Sequence, residues 1–145
     1  MKKFNLRVYG WLQHPQLGVL TCLEKIRGKC YRKFPGGGLE WGEGIEDCLK
    51  REFWEEFNLK IELGRQLYTT PYFQKSAFDP DDQVISIYLE ASVSPSIPKE
   101  CLQGLKCMDP EADMQIEWLA THKVSPEMFP LPIDKSFVEK MKGRP

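Results

Sequence analysis

Three glutamates, Glu52, Glu55 and Glu56, are clustered in the segment Ile45–Phe57, whose residues favour a helix. At about 100° per residue, apolar side chains such as Leu49 form a stripe along the first two turns of that helix. Glu52 and Glu56 continue the same stripe, and Glu55 lies at its edge. Carboxylates on a face that would otherwise pack in a core indicate that this end of the helix holds a positive charge.

The three carboxylates have the chemistry of a site for a hard metal ion. Side chains at i, i+3 and i+4 are neighbours on a helix, so these acids are crowded together. Like charges at this spacing raise each other's pKa and destabilise the site unless they share a cation. Oxygen ligands without a thiolate or an imidazole suit Mg²⁺ first and Mn²⁺ second. The alternative is a solvated acidic face on which Arg51 pairs with Glu55 at i, i+4.

A glycine-rich segment precedes the helix, with five glycines between positions 36 and 44. Glycine permits φ > 0 and a close approach of the backbone to a ligand. The N–H groups of such a loop can bind phosphate oxygens, and a carbonyl can join the oxygen shell of a metal ion. The chain contains neither a P-loop nor a dinucleotide fingerprint. A plain surface turn is the alternative, but the position of the loop before three glutamates favours phosphate and metal binding at one place.

This pattern resembles the box of the Nudix hydrolases, G-x5-E-x7-R-E-U-x-E-E-x-G-U, in which U is a bulky aliphatic or aromatic residue. The matching positions are Gly37, Glu43, Arg51, Glu52, Phe53, Glu55, Glu56 and Leu59. The one departure is Asn58, where the family has glycine. Asn is the usual second choice for a left-handed residue that ends a helix, so we expect Asn58 to end this one. The box covers 23 of 145 residues, and the strand pattern around it extends a weaker resemblance over most of the chain.

The resemblance implies metal-dependent hydrolysis of a diphosphate linkage by attack of water at phosphorus. It implies Glu52 and Glu56 as the principal Mg²⁺ ligands, Glu55 as a further ligand, and the carbonyl of Gly36 as another. Arg51 is expected to orient one of the box carboxylates. For Glu43 two roles stay open: a structural role, since the helix dipole favours a carboxylate there, and a link to the metal.

Substrate contacts and the general base are less determined by the resemblance. Gly37 and Gly38 are expected to contact the substrate. Members of the family take the base from the box or from a loop outside it, and the matching loop acids here are Glu111 and Asp113. We expect Glu52 as ligand and base, with Glu111 as second choice and a substrate-binding candidate. Asp134 precedes or begins the last helix, where some members recognise a nucleobase; it is either such a contact or an N-cap.

The substrate class stays broad. Signatures for ADP-ribose and for dinucleoside polyphosphates would fall near Gln74, Lys75 and Ser76, and neither is met. We therefore expect a nucleoside diphosphate derivative, such as a nucleoside triphosphate or a nucleotide sugar. Two other classes remain: a nucleotide-sensing module without turnover, and a diphosphate isomerase on the same fold. The complete carboxylate set favours hydrolysis over both.

Strands that alternate with helices predict an α/β (α+β) fold with a mixed β-sheet between helices. This agrees with the α/β/α sandwich that the Nudix resemblance implies. Predicted strands are Phe4–Leu12, Gly18–Ile26, Tyr31–Phe34, one or two within Ile61–Tyr72, Val84–Val93 and Gln115–Leu119. A closing helix is predicted over Ile133–Lys142, a turn-rich loop over Ala77–Asp82, and irregular structure over Ser94–Met108. Without a repeat or a linker, residues 1–145 are expected to form one domain.

Composition supports a small cytoplasmic enzyme. A net charge of −1 and the lack of a basic run argue against a nucleic-acid polymer as partner. The polar start and the absence of a long apolar run argue against a signal peptide and a membrane span. Five cysteines without a CxxC pair and only two histidines make a zinc site improbable. The expected partner is a small nucleotide or diphosphate, and the composition is compatible with a homodimer.

Overall fold

Residues 1–143 are described by a computed structural model, in which they form seven β-strands and three α-helices. The strands are β1 (Lys3–His14), β2 (Gly18–Ile26), β3 (Lys29–Lys33), β4 (Gly36–Gly38), β5 (Glu62–Thr69), β6 (Asp82–Ser92) and β7 (Met114–Leu119). The helices are α1 (Ile45–Phe57), α2 (Lys99–Gln103) and α3 (Pro132–Lys142), and 3₁₀ turns lie at Thr121–Lys123 and Pro126–Met128. No helix in this part of the chain is long and apolar enough to cross a membrane.

The seven strands form one mixed sheet with the central order β3-β2-β1-β6-β5. Strands β1 and β6 are parallel, in register from Lys3 opposite Asp82 to Leu12 opposite Ala91, and the other pairings are antiparallel. Strand β4 pairs with β1, and β7 pairs with β2. The mixed sheet and the α/β class predicted from the sequence are therefore confirmed.

Strand β1 divides the core because successive side chains point to opposite faces of a sheet. Val8 and Leu12 pack in a cluster with the apolar face of α1. Tyr9 and Trp11, on the other face, pack in a second cluster with Phe137 of α3. One helix thus covers each face of the sheet, which gives the expected α/β/α layers.

Two expectations about local structure were wrong. The segment Ser94–Met108 is not irregular throughout, because α2 forms within it; the Leu102 side chain is buried, and its carbonyl accepts a hydrogen bond from Trp118 Nε1 at 3.0 Å. The start of the glycine loop is a strand, since Gly36–Gly38 pairs with Arg7–Tyr9 of β1. The segment Ile61–Tyr72 holds one strand, β5, with register shifts along β6.

Candidate active site

Helix α1 begins and ends where the sequence predicts. At its start the N–H of Gly44 donates to Asp47 Oδ2 at 3.2 Å, which satisfies a free backbone donor. At its end Asn58 has φ 54° and ψ 38°, and its N–H bonds back to the last turn. The left-handed cap predicted for Asn58 is therefore confirmed, and it fixes the length of the helix on which the glutamates lie.

Glu52 and Glu56 lie beside the buried face of α1, which Leu49, Phe53 and Phe57 provide. The Glu52 side chain is only 14% exposed. Burial, followed by repulsion from and hydrogen bonding with Glu52, raises the pKa of Glu56 to about 8. At neutral pH the Glu52–Glu56 pair therefore favours keeping one proton, which reduces the repulsion that a bound cation would otherwise relieve.

Strand β4 consists of glycine because its backbone lies directly against neighbouring groups. A Cβ on Gly37 would lie 2.5 Å from the carboxylate carbon of Glu52. Gly36 has φ +148°, and a Cβ there would collide with the carbonyl oxygen of Val8. Side chains at these positions would push the strand away from β1 or displace Glu52. Because Gly37 has no side chain, the Glu52 carboxylate can pack directly against the backbone of β4.

Arg51 connects the glycine loop to the helix. Its Nε and Nη2 donate to the two carboxylate oxygens of Glu43, at 2.9 and 2.7 Å, and Nη2 also donates to the Gly38 carbonyl at 3.0 Å. Its Nη1 donates to Glu52 Oε1 at 2.9 Å and to Glu55 Oε2 at 3.2 Å. Hydrogen bonds from Arg51 come first among the causes that lower the pKa of Glu43 to about 2.

These contacts separate the box acids into two groups. Glu43 and Glu55 are turned toward Arg51, and Glu55 is 58% exposed. The paired bonds from Arg51 favour the structural role for Glu43 over the link to the metal, the two roles that the sequence left open. Glu40, whose side chain is 68% exposed, lies at the outer edge of this network, 3.7 Å from Arg51 Nη1. Glu52 also accepts from Arg51, and it is the acid whose charge raises the pKa of Glu56.

The oxygen atoms around Glu52, Glu56 and Gly36 are the candidate ligands for a divalent cation. Across residues 1–143, no three His, Cys, Asp or Glu side chains converge in an arrangement able to hold a metal ion. Two carboxylates do meet at Glu52 and Glu56, and Gly36 lines a cavity of about 170 Å³ together with Glu56. Paired acids beside a small cavity with a backbone carbonyl nearby fit a hard cation that completes its shell with water and phosphate oxygens.

A second cavity of about 490 Å³ adjoins the small one, and both are lined by Glu24 and Lys33. Its walls come from β1, β6, the segment 74–78 and the start of α3. Gln74, Lys75 and Ser76, where the sequence lacks the two substrate signatures, form part of this wall. A third cavity, of about 560 Å³, is lined by Trp11, Arg65 and Met141 among others, and none of the box residues contributes to it.

Asp134 is not an N-cap, because Leu131 takes that position and Asp134 is the third residue of α3. It is 4% exposed, lines the 490 Å³ cavity, and accepts a hydrogen bond from the Tyr88 hydroxyl at 2.5 Å. Burial raises the pKa of Asp134 to about 6, partly offset by that hydrogen bond. The N-cap interpretation is therefore wrong, and Asp134 is a buried residue that lines the 490 Å³ cavity.

Glu111 lies on an exposed turn, where its N–H donates to Asp109 Oδ1 at 2.9 Å. Asp109 and Ala112 of this turn line the 170 Å³ cavity with Glu56, whereas Glu111 does not. Its neighbour Asp113 is also exposed. The role expected for Glu111 stays a prediction, and Asp109 is the acid of this turn that lines the cavity with Glu56.

Arg7, Glu24 and Lys33 were not singled out from the sequence, although all three line the 490 Å³ cavity. Arg7 and Lys33 are cations that are mostly buried, and they lie on strands that are far apart in the chain. The sequence does contain a local signal that these two cations are partly buried. Arg7 stands between Leu6 and Val8 in an alternating strand, and Lys33 directly precedes the buried Phe34.

Comparison with known proteins gives a family and a fold. A family model for the NUDIX domain matches residues 4–140. The chain is similar to a NUDIX hydrolase from Nitrosomonas europaea, with a TM-score of 0.71, 19% identity, and coverage of 97% of this chain and 89% of that chain. It is similar to a MutT protein from Methanosarcina mazei Go1 (TM-score 0.72, 18% identity, coverage 97% and 94%). It also resembles a MutT NUDIX hydrolase from Burkholderia pseudomallei (TM-score 0.66, 16% identity, coverage 96% and 98%).

Proposed function

The chain belongs to the NUDIX domain family, and from this premise we propose that it hydrolyses a diphosphate linkage in a nucleoside diphosphate derivative. Nucleoside triphosphates and nucleotide sugars are the expected substrates. The reaction is an attack of water at phosphorus that depends on a divalent ion, Mg²⁺ or Mn²⁺.

The observation that carries this proposal is the placement of two glutamates at the glycine strand: the Glu52 carboxylate lies against Gly37, and Glu56 lines the 170 Å³ cavity together with Gly36. Two acids held against each other in a partly buried place destabilise the protein unless a proton or a cation is shared. A fold that retains this arrangement beside a cavity large enough for an organic group is suited to bind a metal–phosphate complex. Glu52, Glu56 and the carbonyl of Gly36 would hold the metal, and Glu55 would reach it through water.

The metal, when bound, would neutralise charge on the phosphates and lower the pKa of the attacking water. The protein's own residues position that reaction. Arg51 Nη1 donates to Glu52 Oε1 and so orients the carboxylate that would hold the metal and accept a proton from water. The backbone of Gly37 and Gly38 would lie along the phosphates, because these residues have no side chain that would keep the substrate away.

A substrate panel with Mg²⁺ tests the proposal. It comprises nucleoside triphosphates (oxidised ones included), nucleotide sugars, ADP-ribose, dinucleoside polyphosphates and coenzyme A. We expect turnover of at least one of them, release of two phosphorylated products or of pyrophosphate or phosphate, and ¹⁸O from labelled water in a product phosphate. Binding of a nucleotide without turnover of any compound would instead identify a sensor, and a rearranged diphosphate without ¹⁸O would identify an isomerase.

The Glu46→Gln variant is the matched control for loss-of-function variants on α1. Glu46 is exposed in the first turn of the same helix and is not part of the Arg51 network. Its activity is expected to equal that of the wild type, whereas Glu52→Gln is expected to lose activity by about 10²-fold or more, the scale of a positioned base.

A further inference from the structure

Arg7 is a largely buried cation that has no carboxylate partner. It lies on β1, opposite Gly38 of β4 and Ser86 of β6. Its Nε donates to the Tyr9 hydroxyl at 2.6 Å. Among residues 1–143, no Asp or Glu lies within ion-pair distance of its guanidinium, and Nη1 and Nη2 donate no hydrogen bond to the protein. A buried charge in this state is costly unless a ligand completes it.

The free side of Arg7 faces the 490 Å³ cavity, close to the carboxylate pair. A Cβ on Gly38 would lie 3.6 Å from Arg7 Nη1, which places this nitrogen beside the glycine strand that covers Glu52. Attraction to Glu52 and Glu56 reaches Arg7. The Arg7 side chain therefore lines the larger cavity and lies beside the glycine strand against which Glu52 packs.

Lys33, the last residue of β3, is a second cation that lines the 490 Å³ cavity. Its side chain is 17% exposed, and Nζ lies 2.7 Å from Glu24 Oε1. Both Lys33 and Glu24 line the 170 Å³ cavity beside Glu56 as well as the 490 Å³ cavity. An anion that extends from one cavity into the other would pass this ammonium group.

Among the charged residues that line the larger cavity, Arg7 is a half-buried cation without a carboxylate in ion-pair distance, and its contacts are with the hydroxyl and the ring of Tyr9. Of the two acids of the cavity, Glu24 is paired with Lys33 and Asp134 accepts the Tyr88 hydroxyl. Lys75 also lines the cavity, but it is exposed to solvent. An arginine that served only the fold would be expected to pair with a carboxylate, as Arg51 and Arg32 do.

We propose that Arg7 and Lys33 bind the phosphate chain of the substrate where it passes from the Glu52–Glu56 pair into the 490 Å³ cavity. This assignment rests on the proposed function. Nη1 and Nη2 of Arg7 are free to donate to two phosphate oxygens, and Lys33 adds a point charge. The ligand class is therefore an organic diphosphate or triphosphate whose organic group fills the larger cavity. The phosphate next to that group is held by Arg7, and the scissile linkage lies toward Glu56.

The test compares Arg7→Gln, Arg7→Lys and Lys33→Gln with the wild type. Arg65→Gln is the matched control, because Arg65 is 77% exposed, pairs with Glu90 and lines a different cavity. Initial rates are measured with the best substrate of the panel and Mg²⁺, and binding of inorganic pyrophosphate with Mg²⁺ is measured by calorimetry. Melting temperatures establish that each variant is folded.

Removal of one charged phosphate contact is expected to weaken binding by about 10- to 100-fold. Arg7→Gln should raise KM and the Kd of pyrophosphate by this amount, and Arg7→Lys should recover part of the loss since it keeps the charge without the fork. Lys33→Gln should act in the same direction, and Arg65→Gln should change neither value. Because Arg7→Lys preserves the buried charge, it remains informative if Arg7→Gln does not fold.

The outcomes separate this inference from the proposed function. A wild type that hydrolyses a panel substrate, with Arg7 and Lys33 variants whose KM and pyrophosphate Kd match the wild type, would overturn the inference and leave the hydrolase intact. A wild type that hydrolyses nothing would overturn the proposed function. In that case, loss of pyrophosphate binding in Arg7→Gln would still support Arg7 as an anion site, and unchanged binding would refute it.

Discussion

Replacement of Glu56 by glutamine should make the metal-free protein more stable at neutral and alkaline pH. The pKa of Glu56 is raised from 4.5 to about 8 in the folded state, first by burial and then by Glu52. Between these two values the folded state keeps a proton that the unfolded state has lost. The stabilising contribution of Glu56 is therefore fully present below about pH 4.5 and is lost as the pH rises through about 8.

The size of the effect follows from the same two values. At about 1.4 kcal/mol per pH unit, the interval from 4.5 to about 8 corresponds to roughly 5 kcal/mol. The proton belongs to the Glu52–Glu56 pair, and movement of the side chains relieves part of the repulsion, so we expect about 2–3 kcal/mol. For a chain of this length that is a difference of roughly 5–10 °C in melting temperature between pH 5 and pH 8.

The assay is thermal unfolding in EDTA from pH 5 to pH 8.5 for the wild type, Glu56→Gln and the control Glu46→Gln. The wild type and Glu46→Gln should lose stability as the pH rises, and Glu56→Gln should lose much less. Asp134, whose pKa is also raised, contributes the same slope to all three proteins and cancels in the comparison. If Glu56→Gln melts several degrees below the wild type at pH 8, or keeps the full pH slope, the pair is a scaffold and the reasoning fails.

Three further predictions follow from contacts around the pair. Gly37→Ala should displace the Glu52 carboxylate and lower turnover by about 10²-fold with a small change in melting temperature, as measured by rates beside thermal unfolding. Arg51→Lys should lower the midpoint of urea unfolding, because a lysine cannot reproduce the paired bonds to Glu43; an unchanged midpoint would contradict this. Asn58→Gly should keep activity and stability within about 1 kcal/mol, whereas Asn58→Val should be less stable than either because a β-branched residue disfavours φ 54°; equal stability of Asn58→Val and the wild type would refute the cap.

Local patterns were sufficient to predict α1 and its ends. The apolar stripe fixes the helix, and the left-handed Asn58 needs only its own φ and ψ and the preceding turn. The strand of glycines beside Glu52 was anticipated as a loop that allows close approach. Its pairing with β1 was not, because it depends on a strand about thirty residues earlier.

Residues brought together by distant strands could not be predicted in the same way. Arg7 and Lys33 line the same cavity because β2 pairs with both β1 and β3. The N-cap interpretation of Asp134 failed for a local reason: Pro132 is favoured in the first turn of a helix, which moves the cap to Leu131. Asp134 then falls on the buried side of α3, against Tyr88.

The rate of hydrolysis of the best panel substrate, measured across a Mg²⁺ titration for the wild type, Glu56→Gln and Glu46→Gln, tests the central claim most directly. We expect no turnover in EDTA, recovery with Mg²⁺ or Mn²⁺ in the wild type and Glu46→Gln, and at least about 10²-fold lower turnover in Glu56→Gln. Full activity of the wild type in excess EDTA, or of Glu56→Gln at any Mg²⁺ concentration, would contradict the account.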